Sequence, residues 1–251
     1  MRLLHTTKLI VDEFLESQSE SYSYAILSHT WDKEEDKEEI TFQDMQGDVP
    51  THKKGFSKLK SSRVQAEKDS YKHIWIDTCC IDKSSSAELS EAIKSMYRWY
   101  KKAAICYVYM SDVPPREVED PCYSQSSFRR SRWFTRGWTL QQLIAPPQLI
   151  FFSKSWTMLG TKTELVNVIY DVTTIDKEVL LNRRNIQSAV SVSRRMSWAA
   201  RRITTRIEDR SYSLLGIFDV NMPLLYGEGY RAFYLLQEEI LRQTDDESLF
   251  A

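Results

Sequence analysis

The sequence predicts an α/β protein built on a parallel sheet with helices on its faces. Short apolar runs alternate with amphipathic segments, and this order is typical of a parallel sheet. The apolar runs are nearly continuous, as expected for strands that are covered on both faces. The chain has 251 residues with seven Trp and thirteen Tyr against only seven Gly, which favours a dense fold with a substantial core.

Four apolar runs rich in strand-forming residues predict the strands of this sheet. They cover residues 24–27 (YAIL), 73–80 (HIWIDTCC), 104–110 (AICYVYM) and 148–152 (QLIFF). Helices are predicted between them at 56–71, directly after Ser85, and at 133–144. The helix after Ser85 has the clearest signal, because Ser85 and Glu88 fit the S-x-x-E capping box. The prolines at 146 and 147 end the helix at 133–144.

The rest of the chain is predicted to be mainly helical. Helical periodicity at 164–172, 190–202 and 231–242 indicates a helical extension over about 156–251, which follows a core at about 20–155. No linker rich in Gly, Ser or Pro separates the two parts, so we expect one domain over 1–251. The acidic stretch 32–48 is expected to be a solvated loop or a frayed helix.

Composition excludes several classes of function. The 34 basic and 35 acidic residues give a net charge of -1, so no overall field attracts nucleic acid or anionic lipid. No apolar run approaches the roughly 20 residues that cross a bilayer, and no signal peptide is expected. The four cysteines have no zinc-binding spacing, so we expect reduced thiols, no metal and a cytoplasmic protein.

The polar residues that follow the predicted strands are the first candidates for a site, because ligands of open parallel sheets lie beyond the carboxyl ends of the strands. An aspartate in such a place is more often a helix cap or a turn former than a catalyst. A lone histidine there is more often a hydrogen-bonded rim residue than a general base. The candidates are Ser28, His29 and Trp31, then Asp77, Thr78 and Asp82, then Ser111 and Asp112.

Two further patterns allow an alternative. Cys79 or Cys80 could form a nucleophile–base pair with His29, although cysteines on strands are usually buried and inert. The segment 183–210 holds eight arginines that could meet phosphate or nucleic acid. Arginines at helical spacing are more often a solvated face, and this segment lacks the interleaved aromatic residues of a nucleic-acid site.

The segment 136–146 (RGWTLQQLIAP) contains a second kind of candidate. Trp138 and Gln142 lie one helical turn apart, so both side chains point to the same side of the predicted helix. This spacing fits either a pair that faces a ligand or a half-buried tryptophan with a polar neighbour on the helix surface.

Together, several long segments resemble the fungal heterokaryon incompatibility (HET) domain. They are 24–31 (YAILSHTW), 73–83 (HIWIDTCCIDK), 131–146 (SRWFTRGWTLQQLIAP) and 204–229 (TTRIEDRSYSLLGIFDVNMPLLYGEG), in the order that the family has. The resemblance spans Met1 to about Ile240. It implies a role in fungal non-self recognition and cell death, as the amino-terminal effector of a longer, receptor-like protein.

The HET domain is in turn similar to the Toll/interleukin-receptor (TIR) domain, which implies a TIR-like, flavodoxin-like parallel sheet. Many TIR domains cleave NAD at the nicotinamide–ribose bond with a glutamate in a W-x-x-x-E context. Trp138 and Gln142 fall on these two positions, and the HET pattern has WTLQELIAP where this chain has WTLQQLIAP. Gln142 therefore stands where the resemblance implies a catalytic glutamate. A deliberate Glu→Gln replacement, or a natural variant that signals without catalysis, would give this sequence.

The resemblance also implies roles for the remaining candidates. Trp138 would support the packing of position 142, and Arg136 would meet the pyrophosphate of NAD. NAD is then the substrate, no separate cofactor is needed, and self-association is expected for activity. A non-catalytic module that self-associates in signalling is the alternative. The residues expected to surround nicotinamide and ribose are Ser28, His29, Trp31, Asp77 and Asp82.

Overall fold

One mixed sheet of seven strands lies at the centre of the computed structural model, which describes residues 1–14, 22–31 and 38–250. The spatial order is β2-β1-β4-β3-β5-β6-β7. The strands are β1 (Arg2–His5), β2 (Val11–Glu13), β3 (Ala25–His29), β4 (His73–Trp75), β5 (Ile105–Tyr109), β6 (Leu149–Phe152) and β7 (Met158–Thr161).

The four predicted strands form the parallel centre of this sheet. β3 pairs in parallel with β4 and with β5, and β5 pairs in parallel with β6. In chain order these strands are the first, second, third and fourth, so their spatial order is 2-1-3-4, as in flavodoxin-like folds. The predicted α/β fold is therefore confirmed.

The edges of the sheet differ from the prediction. β1 and β2 add an antiparallel pair beside β4, and β7 pairs antiparallel with β6. β7 also lies inside the segment expected to be helical. These strands have three or four residues each, too few to show a period of two in the sequence. β4 ends at Trp75, and the predicted strand residues after Ile76 form a turn.

The helices cover both faces of the sheet. They are α1 (Lys54–Lys68), α2 (Ser86–Lys102), α3 (Ser127–Arg130), α4 (Thr139–Ile144), α5 (Val166–Thr173), α6 (Lys177–Leu180), α7 (Ile186–Ala189), α8 (Val192–Ala199), α9 (Asp209–Tyr212), α10 (Leu215–Phe218) and α11 (Arg231–Gln243). Short 3-10 helices cover Gln43–Gln46, Arg132–Thr135 and Glu247–Phe250. None of the described helices is both long and apolar enough to cross a membrane.

The predicted capping box of α2 is half formed. The Ser85 hydroxyl accepts a hydrogen bond from the backbone N–H of Glu88 at 3.3 Å. The Glu88 carboxylate accepts instead from the backbone N–H of Asp82 at 2.7 Å, which ties the preceding turn to the helix. Behind this start, Trp99 and Tyr100 pack against Trp75 of β4.

The predicted helix 133–144 is broken into the 3-10 helix Arg132–Thr135 and α4, and Gly137 lies in the break. The Gly137 N–H donates to the Ile203 carbonyl at 2.9 Å, and Arg136 forms a parallel β-bridge with Ile203. A Cβ atom on Gly137 would stand 2.4 Å from Cγ2 of Thr204. The helix is interrupted because the helical extension approaches the backbone here and takes its hydrogen bonds.

The acidic stretch 32–48 is not simply a solvated loop. Residues 32–37 lie outside the described part of the chain. Glu39 and Ile40 are buried, and Met45 joins the core from the 3-10 helix Gln43–Gln46. Ile40 and Met45 explain this burial, since two apolar side chains bring the backbone around them to the protein interior.

Candidate functional site

The carboxyl ends of β3 and β5 form the topological switch point of the sheet. β3 leads through α1 to β4 on one side, while β5 leads through α4 to β6 on the other side. Connections that leave in opposite directions open a crevice between two strand ends, and ligands of open α/β sheets bind there. Ser28 and His29 are the last two residues of β3, so this position is the natural centre of a site.

Ser28 joins β3 to α4. Its hydroxyl donates to Oε1 of Gln142 at 2.5 Å and accepts from Nε1 of Trp133 at 2.9 Å. All three side chains are buried. The contact places Gln142 inside the protein beside the switch-point strand, and excludes the interpretation that position 142 is ordinary helix surface.

Gln142 has donor capacity to spare in this position. Its side chain is 5% exposed and its Oε1 is occupied by Ser28. The amide nitrogen makes no hydrogen bond with any described residue. A carboxylate at the same place would carry a second acceptor oxygen where the amide has only donors. The Gln142 side chain therefore differs from a glutamate at the same position both in charge and in the hydrogen bonds that it can form.

His29 lies in a separate, charged group. Its Nε2 is 3.0 Å from Oδ1 of Asp77, and its Nδ1 is 2.9 Å from Nζ of Lys58. An ammonium can only donate, so Nδ1 accepts from Lys58, and Nε2 carries the proton that is donated to Asp77. Lys58 also forms an ion pair with buried Glu39. Both ring nitrogens are occupied, so His29 has none left for Cys79 or Cys80.

Asp77 is strongly acidic in this group. Burial by itself would raise the pKa of Asp77, but Lys83, the hydrogen bond with His29 and the charge of Lys58 outweigh it and lower that pKa to about 2. Trp31 stacks near His29, with ring centroids 6.4 Å apart, and Nζ of Lys83 lies 3.3 Å from the centroid of the Trp31 ring. The group thus combines two carboxylates, Asp77 and Glu39, with two cations and an aromatic face.

These two groups lie on opposite faces of the sheet. Ser28 and His29 are neighbours on β3, and successive side chains of a strand point to opposite sides. Accordingly Ser28 meets α4, whereas His29 meets α1 through Lys58. The predicted pocket residues are therefore brought together in two sets, which adjoin at the strand end without sharing a hydrogen bond among the described residues.

Three predicted site residues have other partners. Asp82 accepts from the backbone N–H of Ser84 at 2.9 Å and from Gln43 at 2.6 Å, which is the behaviour of a turn former. The Trp138 side chain acts on Asp209 of α9, where it lowers the pKa of the carboxyl against the raising effect of burial. Arg136 donates to the Thr205 hydroxyl at 2.9 Å. Trp138 and Arg136 thus contact the helical extension, and Trp133 is the tryptophan that supports the Ser28–Gln142 pair.

Two buried cations from the later part of the chain hold the ends of α4. Nη1 of Arg202 donates to the Arg136 carbonyl at 3.0 Å and to the Thr139 hydroxyl at 2.9 Å. Nζ of Lys162 donates to the Pro146 carbonyl at 2.6 Å. Burial lowers the pKa of Lys162 to about 8 and that of Arg202 to about 9. The helix that carries Gln142 is fixed at both ends by residues outside the predicted core.

The other candidates are explained by the fold. The hydrogen bond with Cys80 and burial raise the pKa of Cys79 well above that of a free thiol, so Cys79 is not an activated nucleophile. The arginines of 183–210 do not form one face, because Arg195 and Arg202 are buried while Arg201 and Arg210 are exposed. Among the described residues, no group of three or more His, Cys, Asp or Glu side chains could hold a metal ion.

Sequence reasoning missed Trp133, Lys58 and Glu39. Trp133 and Ser28 are 105 positions apart, so no local spacing relates them. Glu39 lies among many other acidic residues, so its burial is not evident from the sequence, although the apolar Ile40 beside it indicates burial. Lys58 lies one position before Leu59 on α1, close to the buried side of a helix whose surface is otherwise charged.

The fold and this site define an α/β domain with a polar switch point, and residues 24–125 match the family described as Heterokaryon incompatibility protein (HET). Over 221 residues the chain is 48% identical to "Vegetative incompatibility protein HET-E-1" of Podospora anserina, and the alignment covers 86% of this chain and 16% of that relative. The chain therefore belongs to the HET family. The chain thus corresponds to less than a fifth of the length of this relative. No solved structure shows a significant match.

Proposed function

We propose that this HET domain is a fungal incompatibility and cell-death effector whose ancestral activity is cleavage of NAD at the nicotinamide–ribose bond. The 48% identity to a vegetative incompatibility protein of Podospora anserina supports a role in incompatibility. The likeness to TIR domains is part of the proposal, and the flavodoxin-like order of the central strands supports it. The domain would act in the cytoplasm, as the amino-terminal part of a longer receptor-like protein, and would self-associate to become active.

The observation that carries the proposal is the position of residue 142 beside Ser28 at the switch point. Loss of nicotinamide leaves positive charge on the ribose, and a nearby carboxylate stabilises such an oxocarbenium-like state. A glutamate at 142 would be held by the same Ser28 hydroxyl, which Trp133 orients by its own hydrogen bond. The carboxylate would then be fixed in place before the reaction, which is what transition-state stabilisation needs.

Gln142 makes the present sequence inactive or weakly active in this proposal. The amide keeps the length and the contact with Ser28, but it carries no charge. Loss of one preorganised contact with the transition state costs on the order of 3 kcal/mol, or about a hundredfold in rate. The binding of NAD depends less on this charge, so we expect the Gln142 form to retain it.

The proposed sites of contact with NAD differ in how directly the geometry supports them. Ser28, His29, Trp31 and Asp77 surround the carboxyl end of β3 and are proposed to line the nicotinamide and ribose pocket. Asp82, Trp138 and Arg136 interact with neighbouring elements. We assign these three residues a supporting role around the pocket.

The test is the Gln142→Glu variant, with NAD measured in cells after induced expression and in solution with purified protein. We expect NAD to fall at least a hundredfold faster than with the Gln142 chain. The matched control is Gln142→Asp, which introduces the same charge on a side chain shorter by one methylene. A misplacement of about 1 Å costs about a hundredfold in rate, so Gln142→Asp should resemble the Gln142 chain.

Two results would contradict the proposal. One is a Gln142→Glu protein that melts cooperatively and self-associates but leaves NAD intact. The other is equal NAD consumption by Gln142→Glu and Gln142→Asp, since the position of the carboxylate would then be irrelevant. Density for NAD far from Gln142 in crystals soaked with NAD would separately overturn the assignment of the site.

A non-catalytic signalling module is the second candidate, and one surface favours it. Tyr230, Tyr234 and Leu241 follow one face at the start and along the length of α11, and both tyrosines are 65% exposed. Exposed apolar residues grouped on one helix face are typical of interaction surfaces. This candidate predicts that Tyr234→Asp abolishes self-association and cell death while Gln142→Glu changes neither. NAD loss with Gln142→Glu would exclude it.

A further inference from the structure

A cavity of about 590 Å³ lies in the helical extension, away from the switch point. α8, α11 and the segment around α9 line it, and it opens to solvent on one side. Its wall is mainly apolar and includes Met196, Ala199, Leu214 and Phe233. Cavities of roughly 300–1,000 Å³ with apolar walls and a few polar groups are typical of small-molecule sites. The size and the lining therefore fit an organic ligand with an apolar body.

Arg210 supplies a positive charge at the wall of this cavity. Its guanidinium makes no hydrogen bond or ion pair with any described residue. Arg210 and Ala199 also line a second cavity of about 20 Å³, so the two cavities adjoin. A space of this size holds one small polar group, because about 10–15 Å³ is enough for a water molecule.

Arg202 borders the smaller cavity and is the more unusual cation, since its side chain is buried and it is 6% exposed. Its Nε donates to the Trp198 carbonyl at 3.2 Å, and its Nη1 donates to the Arg136 carbonyl and the Thr139 hydroxyl. Nη2 has no hydrogen-bond partner among the described residues, and no described carboxylate pairs with this guanidinium. A buried charge without a counter-ion is costly, so the site favours an anion.

We infer that the two cavities form one binding site for a small organic carboxylate with an apolar body. The carboxylate occupies the smaller cavity between Arg202 and Arg210, where Ser213 also contributes to the wall. The apolar body fills the larger cavity. Guanidinium groups match the planar, two-oxygen geometry of a carboxylate, and the mainly apolar wall of the larger cavity favours an anion that carries an apolar body.

The site has a structural connection to α4. Arg202 holds the Arg136 carbonyl and the Thr139 hydroxyl at the start of the helix that carries Gln142. A carboxylate that neutralises Arg202 would therefore bind beside the residue that positions α4. The inference concerns binding in the extension and does not depend on cleavage of NAD.

The test uses the 251-residue chain, decanoate as the probe and decanol as the matched neutral control, with binding measured by calorimetry and by the shift in melting temperature. We expect decanoate to bind with 1:1 stoichiometry and at least tenfold more tightly than decanol. Failure of decanoate to bind, or equal affinity for both compounds, would overturn the inference.

Variants locate the probe. Arg210→Gln removes an exposed cation and should weaken decanoate about tenfold while leaving decanol unchanged. The matched control is Arg201→Gln, an exposed arginine that lines neither cavity, and its affinity should equal that of the native chain. Ser197→Trp, on the exposed side of α8, should project into the larger cavity and weaken the binding of both compounds. Equal losses with Arg210→Gln and Arg201→Gln, or unchanged affinity with Ser197→Trp, would place the probe elsewhere and contradict the inference.

Discussion

The Ser28 hydroxyl donates to Oε1 of Gln142 at 2.5 Å and so joins the carboxyl end of β3 to α4. The same hydroxyl accepts from Trp133, so one oxygen organises two buried polar side chains. Removal of that oxygen leaves both without their partner, and an unpaired buried polar group costs about 1–3 kcal/mol. The stability of the fold and the geometry of position 142 therefore depend on the same atom.

Ser28→Ala should lower the free energy of unfolding by about 2–4 kcal/mol, because Trp133 and Gln142 both lose a hydrogen bond in a buried place. Urea denaturation measures this change. Ser62→Ala is the matched control, since Ser62 is equally buried but its hydroxyl donates only to the Leu59 carbonyl of its own helix. A loss with Ser28→Ala no greater than the loss with Ser62→Ala would contradict the buried three-residue contact.

Asp77 should make stability depend on pH at the acid end. Its pKa is lowered from 3.8 to about 2, so its contribution is fully present above pH 4 and is lost as the pH falls from about 4 to about 2. The side chain is 22% exposed, and the shift corresponds to on the order of 2 kcal/mol. Asp77→Asn should lower stability at pH 7 by about that amount and flatten the change between pH 4 and pH 2.

Denaturant titrations at several pH values test this expectation. Asp48→Asn provides a control at an exposed aspartate that forms no ion pair with a described residue. If the native chain and Asp77→Asn lose stability in parallel between pH 4 and pH 2, the carboxylate is not held by Lys83 and His29 as described.

Lys162 should make the stability of the fold depend on pH at the alkaline end. Burial lowers its pKa from 10.5 to about 8, so the charged form is penalised below pH 8 and the penalty disappears as the pH rises toward 10.5. We expect the stability of the native chain relative to Lys162→Met to increase by about 3 kcal/mol between pH 8 and pH 10.5. A difference that is constant over this range would show that Lys162 is not desolvated. Melting curves of both proteins at matched pH provide the comparison.

Gly216 is the point where α10 meets α2. A Cβ atom there would lie 2.1 Å from Cβ of Tyr97, a distance that no packing tolerates. Gly216→Ala should therefore cost about 1–3 kcal/mol or more. Tyr97→Gly removes the obstructing Cβ together with the ring, so the double variant should lose less than the sum of the two single variants. Gly47→Ala, with nothing within 4 Å of the added atom, is the control, and strict additivity at 97 and 216 would contradict the contact.

The centre of the fold could be predicted from the sequence, and its edges could not. β3, β5 and β6 are apolar runs long enough to identify without partners. β1, β2 and β7 have no such local signal, and they become strands because a neighbouring strand offers hydrogen bonds. The break at Gly137 has the same origin, since the backbone of Ile203 takes the place of the next helical turn.

The candidate site was predicted to a similar extent. Ser28 and His29 can be selected as candidates because the carboxyl end of a buried strand is a position that can be recognised from sequence. Ser28 and His29 point to opposite faces of the sheet because side chains alternate along a strand. The residues that contact them on each face come from distant segments of the chain. Lys58 reaches His29 from α1, and Glu39 reaches it from the segment before α1. Trp133 reaches Ser28 from beyond β5.

The two buried cations at the ends of α4 have a consequence for biosynthesis. A chain that emerges from the ribosome in order presents Gln142 well before Lys162, and Lys162 well before Arg202. Until Arg202 has emerged, the Arg136 carbonyl and the Thr139 hydroxyl lack the donor that holds the start of the helix. The site at position 142 is therefore completed only after residue 202 has emerged, and a nascent chain that stops before this residue carries Gln142 on a helix whose start is not yet anchored.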